Sequence, residues 1–343
     1  MSMGKRIFTI FLCILLLASA IAFSACGGSK NSGGGGGDES SGSNLGQAVS
    51  DAIETVTGSG KKGTVEEDES LPLRDTTPRV LENTAPGDQT AAGNGAVIDY
   101  SNISDGYIMA KYEGDNPKIK LQITQDGSSA YTYDVLPNQD FAGFPLSLGS
   151  GGYNVAMFLN IDGDQYSQAC AQWFQADIND PFSPFLRANQ YSNFNKQTRA
   201  VAKASELAKD TRTDLKVIEN VFIFITENVV YDYDLAANVQ SGYIPDVDRT
   251  LSTGKGICFD YAALMTCMLR SQGIPCQLVV GYAGPAYHAW ISVHVEGIGW
   301  VANMIKFDED KWTMMDPTFA ASGDTADPNI VGTGENYQPV YYY

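Results

Sequence analysis

The sequence turns on Gly254-Lys255-Gly256-Ile257-Cys258-Phe259-Asp260-Tyr261-Ala262, where two glycines bracket a lysine and a cysteine opens an apolar run. The run continues through Met268-Leu269 and stops at Gly273-Ile274-Pro275, a helix terminator. Ile257, Leu264 and Met268 recur at helical spacing, as do Met265 and Leu269. The spacing predicts a buried helix with Cys258 in its first turn, just after a glycine-rich turn. A thiol there meets the positive end of the helix dipole, which favours the thiolate. A buried, inert cysteine is the plainer alternative.

Two later segments carry the other groups such a thiol would need. The chain has two histidines. His288 stands in Tyr287-His288-Ala289-Trp290 and opens an alternating, strand-like run to Val295. Asp316 stands in Met315-Asp316-Pro317-Thr318. A thiol nucleophile requires an imidazole base and a carboxylate that orients it, and Cys258, His288 and Asp316 each fall at an element boundary.

From about Lys196 to Ala320 the chain resembles the bacterial transglutaminase-like superfamily. The matching residues are Gly256–Ala262, Arg270-Ser271-Gln272-Gly273-Ile274-Pro275, Val280-Gly281-Tyr282, His288-Ala289-Trp290 and Asp316-Pro317-Thr318, in the family's order. The resemblance implies an α+β, papain-like core of helices packed on an antiparallel sheet. It implies Cys258 as nucleophile, His288 as base and Asp316 as its orienter. It leaves open whether members hydrolyse, crosslink or only bind; the leading reading is a peptide or protein substrate, cell-wall peptides being one class, attacked by thiol acyl transfer with no cofactor. Hydrolysis is the favoured outcome over crosslinking. A non-catalytic surface module that binds wall polymer or peptide on the same fold is the alternative. Tyr231, upstream of the cysteine, is a further oxyanion-hole candidate, against a plain packing tyrosine.

Formal charge is −18, with 40 acids against 22 Lys and Arg. Such a chain is not expected to bind nucleic acid or an anionic membrane by charge. Residues 1–25 read as a signal peptide: Lys5-Arg6, then an apolar core from Ile7 to Ala22. Phe23-Ser24-Ala25-Cys26 resembles a lipoprotein lipobox, with phenylalanine in place of the usual aliphatic residue. This implies lipidation of Cys26 and anchoring to the outer face of a bacterial cytoplasmic membrane. An ordinary cleaved signal peptide or an uncleaved anchor are the alternatives.

Residues 26–94 read as flexible linker, with five glycines at 33–37. Residues 95–180 read as a small β-sandwich, from strands at Gly106–Tyr112, Lys118–Thr124, Ala130–Val135, Tyr153–Ile161 and Tyr166–Ile178 separated by turn residues. Asp180-Pro181-Phe182-Ser183-Pro184 marks the crossing into a transglutaminase-like domain at 190–343. Two helices open it, one bearing Val201, Ala204, Leu207 and Ala208. The other bears Leu215, Ile218, Val221, Phe222 and Ile225, with Thr213-Asp214 at its start.

No metal site is expected. Cys258 and Cys267 lie nine residues apart and would point opposite ways on a helix, about 180° at 3.6 residues per turn. Cys267 reads as core, Cys170 as a buried strand residue, and a Cys267–Cys276 disulfide stays open. His294 is six positions after His288, roughly 20 Å along a strand, and reads as a solvated or edge residue. Since 28 residues separate His288 and Asp316, a plain meander would leave them at opposite sheet ends. Gly297–Phe307 is therefore expected to be an insertion, with the strand at Trp312–Met315 pairing directly with the His288–Val295 strand.

Overall fold

The computed structural model describes residues 65–301, 304–308, 311–314, 316–322 and 337–343. The signal peptide, Cys26 and the glycine tract lie outside the described residues. Among the described residues no helix is long and apolar enough to cross a membrane.

The N-terminal half is all β. Its strands are β1 (Thr90–Gly93), β2 (Ala96–Asp99), β3 (Tyr107–Tyr112), β4 (Ile119–Gln125), β5 (Tyr131–Val135), β6 (Ala142–Pro145), β7 (Gly151–Asp162) and β8 (Gln165–Ala176). They form two antiparallel four-stranded sheets, ordered β1-β2-β3-β6 and β5-β4-β7-β8. Alternate residues bury inward: Ile119, Leu121 and Ile123 on β4, Tyr131, Tyr133 and Val135 on β5. That period of two lets each sheet contribute one face to a shared core. The sequence did not mark β1, β2 or β6. Each has four residues, and β1 and β6 are drawn largely from Ala, Gly and Pro, types that favour strands weakly.

The second half is α+β. It begins with α1 (Arg199–Leu207) and α2 (Asp214–Asn228) and continues through β9 (Val230–Tyr231), α3 (Tyr233–Asn238), α4 (Val247–Thr253), β10 (Lys255–Gly256) and α5 (Cys258–Ser271). Then come β11 (Cys276–Ala283), β12 (Ala286–Val295), β13 (Gly299–Val301), β14 (Met304–Asp308), β15 (Lys311–Met314), α6 (Pro317–Ser322) and β16 (Tyr337–Tyr342). The predicted face of α2 is buried throughout, and the Thr213 hydroxyl accepts from the Lys216 amide at 3.2 Å as its cap. Helix α5 runs through the core, buried from Asp260 to Ser271. Helices α1, α2 and α4 pack against it, and so does the sheet β13-β12-β11-β16.

Arg270 closes the far end of α5. Its fully buried guanidinium donates to the carbonyls of Cys276, Arg187 and Tyr343 at 2.8, 2.7 and 2.6 Å. It therefore ties the helix to β11, to the inter-domain crossing and to the C-terminal strand. Burial lowers its pKa to about 10. The two halves also meet through tyrosines. Tyr131 packs edge-on against Tyr341 and Tyr343, and Tyr191 lies 5.1 Å from Phe259, the residue after Cys258.

Two expectations need correction. Residues 65–94 are not linker: 65–79 form a strap across the second half, and Thr90–Gly93 is strand β1 of the first. Val65 is buried and donates to Glu219 Oε1 at 2.8 Å. Glu67 Oε1 accepts from the amides of Arg212 and Thr213. Arg74 pairs with Asp214 at 2.6 Å, and the Arg79 amide donates to the Ser271 carbonyl. These partners lie more than a hundred residues away, so they leave no local periodicity to read.

The strand at 311–314 does not pair with β12. It pairs with β14, through Met304↔Met314 and Ile305↔Thr313, as a separate hairpin. The middle strand is indeed short: β13 pairs with β12 only from Val293 to Val295. The chain then leaves the sheet, and the β14–β15 hairpin turns it back before Asp316.

Candidate active site

Three local devices fix where α5 begins. Gly254 adopts a left-handed conformation (φ 60°) at the end of α4, where its amide donates to the Thr250 carbonyl. A Cβ on Gly256 would fall 2.5 Å from Asp260 Cβ, so only glycine fits. Asp260, fully buried at the third helical position, accepts from the Ile257 amide at 2.9 Å and satisfies an otherwise orphan donor. Its other oxygen accepts from Tyr243 at 2.7 Å and from Arg249 at 3.0 Å. Burial raises the Asp260 pKa even against these hydrogen bonds and the Arg249 charge. The outcome is a rigid first turn with Cys258 partly exposed at its head.

His288 lies on β12 directly opposite Gly281 of β11. Glycine is required at 281 because a Cβ there would fall 2.2 Å from the Gln338 carbonyl of β16. The imidazole is 7% exposed, with Trp290, two residues on and on the same face, stacked at 6.1 Å between ring centres.

Asp316 arrives by a different route. It precedes α6, with Pro317 at the first helical position and the Thr318 amide donating to Asp316 Oδ1 at 3.0 Å. Asp-Pro-Thr is thus a helix N-cap with proline where its missing N–H is harmless. The cap fixes the carboxylate rotamer and aims Oδ2 at His288 Nε2, 2.5 Å away. The imidazole also hydrogen-bonds the Cys258 side chain.

The structure therefore brings Cys258, His288 and Asp316 into one connected row. Burial alone would lower the His288 pKa. The charges of Asp316 and Cys258, with the hydrogen bonds to both, outweigh it and raise the value to about 10. The remaining singled-out residues lie elsewhere. Tyr231 pairs with Gly256 through the short parallel β9–β10 ladder, and its ring meets Tyr233 edge-on at 5.0 Å. His294 packs between Phe182 and Trp300, outside the row. Cys267 and Cys276 are buried free thiols, unpaired with each other, and burial raises the pKa of both. Among the described residues no cluster of three His, Cys, Asp or Glu could hold a metal.

One member went unseen in the sequence. Tyr337, on the C-terminal strand, donates its hydroxyl to Asp316 Oδ2 at 2.8 Å. A lone tyrosine 21 residues past the aspartate carries no local signal.

Residues 201–317 match the transglutaminase-like superfamily. The chain carries a transglutaminase-like domain. It is 27% identical over 133 residues to the UPF0252 protein of Methanocaldococcus jannaschii, covering 34% of this chain and 38% of that protein. Over 129 residues it is 27% identical to the human Kyphoscoliosis peptidase, covering 34% of this chain and 17% of the peptidase. The chain thus spans well under half the length of these relatives. Among solved structures, a putative cysteine protease from Cytophaga hutchinsonii overlays with a TM-score of 0.32 at 16% identity, over 67% of this chain and 73% of that one, and red sea bream transglutaminase with 0.29 at 13%, over 67% and 53%. The match falls on the stretch that holds α1, α2 and α5, the β11–β12 sheet and Asp316.

Proposed function

We propose that the protein is a cysteine enzyme that cleaves amide bonds of peptides or proteins by thiol acyl transfer, hydrolysing in preference to crosslinking. The observation that carries this reading is His288 bonded on one side to Cys258 and on the other to Asp316, with the sulfur partly open to solvent. The Cys258 sulfur would attack the substrate carbonyl carbon while His288 holds the thiol proton. As the C–N bond breaks and a thioester forms, the imidazole gives that proton to the leaving amine. Water then attacks the thioester, and the thiol and acid are released. Asp316 accepts from Nε2–H and holds that tautomer, which leaves Nδ1 for the sulfur. The Cys258 amide at the helix start is a proposed oxyanion donor.

Hydrolysis is preferred here because the human relative sharing this region bears the name peptidase. We further propose that Cys26 is lipidated and that the enzyme works at the outer face of a bacterial cytoplasmic membrane, where cell-wall peptides are a reachable substrate class. The sequence before residue 65 supports that siting.

The test is incubation of the wild-type chain with cell-wall peptides and a labelled amine, read by mass spectrometry against Cys258→Ala. Cleaved peptide that vanishes in the variant supports hydrolysis. Amine-labelled peptide in its place would move the assignment to crosslinking. Identical products from both proteins would end the enzymatic reading. Cys26→Ala should release the protein from the membrane fraction, and retention there would end the anchor reading.

A further inference from the structure

The C-terminal strand completes the triad's hydrogen-bond row from outside its sequence neighbourhood. Tyr337 is nearly buried at 8% exposed, pairs in register with Ala283 of β11, and packs edge-on against Trp290 at 4.9 Å. Its hydroxyl and His288 Nε2 reach the same oxygen, Asp316 Oδ2, at 2.8 and 2.5 Å, while Oδ1 takes the Thr318 amide. The ring could have packed on Trp290 as phenylalanine. The hydroxyl is what converts a packing residue into a carboxylate ligand.

We propose that Tyr337 is a positioning residue of the Cys258–His288–Asp316 site, acting through Asp316. Its hydroxyl draws negative charge from the oxygen that faces the imidazole and so limits how strongly Asp316 holds the proton on His288. A hydrogen bond to the ionised carboxylate favours that form, which keeps Asp316 an acceptor and the shared proton on the imidazole. The base is thereby left weak enough to release its proton to a leaving amine. The Gly281 motif belongs to the same device, because only glycine there admits β16 close enough to seat Tyr337. Burial raises the Tyr337 pKa, and the Asp316 charge and hydrogen bond raise it further, so the phenol stays a donor.

The inference rests on the triad reading, and the test separates the two. The chain has two histidines, so the ring signals of His288 and His294 can be followed by NMR in the full chain, with His294→Gln to assign them. Asp316→Asn should lower the His288 titration by about one unit or more. Tyr337→Phe keeps the ring against Trp290 and should raise it by about half a unit. Tyr341→Phe, on the same strand, should leave it unmoved. If Asp316→Asn moves the titration while Tyr337→Phe leaves it unchanged or lowers it, Tyr337 only packs and the proposal is overturned alone. If Asp316→Asn also has no effect, the triad reading falls and this inference with it.

Discussion

His288 Nε2 and Asp316 Oδ2 lie 2.5 Å apart across 28 residues of sequence. No continuous sheet joins them. One comes from β12, an inner strand of the sheet, the other from the N-cap of a short helix reached after a detached hairpin. The carboxylate's role as helix cap gives it one fixed rotamer, and that rotamer serves the imidazole.

Asp316→Asn separates those two roles. Asparagine caps helices about as well as aspartate, so the cap should survive, and any loss of stability should come from the His288 pair and fade at high pH. The charge that holds the imidazolium is lost, however, and alkylation of Cys258 by iodoacetamide at pH 6 should slow at least about tenfold. Urea unfolding and intact-mass labelling rates measure the two effects. Unchanged labelling would dismiss the electrostatic part of the argument.

The raised His288 pKa has a consequence for stability. Its folded value, about 10, lies above the unfolded 6.5, so the fold stabilises the protonated ring. That contribution is complete below about pH 6.5 and is lost as pH rises through about 10. Wild type should therefore exceed His288→Asn in unfolding free energy at pH 6, by on the order of 1–3 kcal/mol. The gap should close by pH 10.5. A gap that widens with pH would reverse the assignment.

Asp260→Ala removes the clamp at the start of α5. It leaves the Ile257 amide without its acceptor and Arg249 without its anion. A loss of about 1–3 kcal/mol is expected in denaturant unfolding, the cost of leaving the buried Ile257 amide unsatisfied. Cys258 labelling should fall as well, since the first turn loses its fixed start.

Glu67→Ala tests the strap. One Glu67 oxygen accepts from the Arg212 and Thr213 amides and from the Thr213 hydroxyl, at 2.7, 2.6 and 2.9 Å. Its removal should cost about 1–3 kcal/mol. Amides of residues 65–80 should then exchange faster with deuterium. If wild type already exchanges there at the rate of free chain, the strap is not held as described.

Much of the site was legible without coordinates. Cys258 announced itself through glycines, a helical apolar run and a stop, all within twenty residues. The buried face of α2 and its Thr213 cap were equally local, as were the longer strands β4, β5 and β7. The misses have two causes. The strap at 65–79 and Tyr337 are held by partners far along the chain, which nothing in their own neighbourhoods encodes. Strands β1 and β2 pair locally, from Gly93↔Ala96 outward, but are only four residues each.

Sequence alone determined the helix with Cys258 at its head and the alternating strand that carries His288. Each follows from backbone hydrogen bonding and side-chain periodicity over a few residues. Only the tertiary structure decided that the hairpin leaves the sheet, that Asp316 reaches His288 nonetheless, and that β16 delivers Tyr337 to the same oxygen. Those outcomes depend on how buried surfaces and charges at distant positions are satisfied together, a condition that no local pattern records.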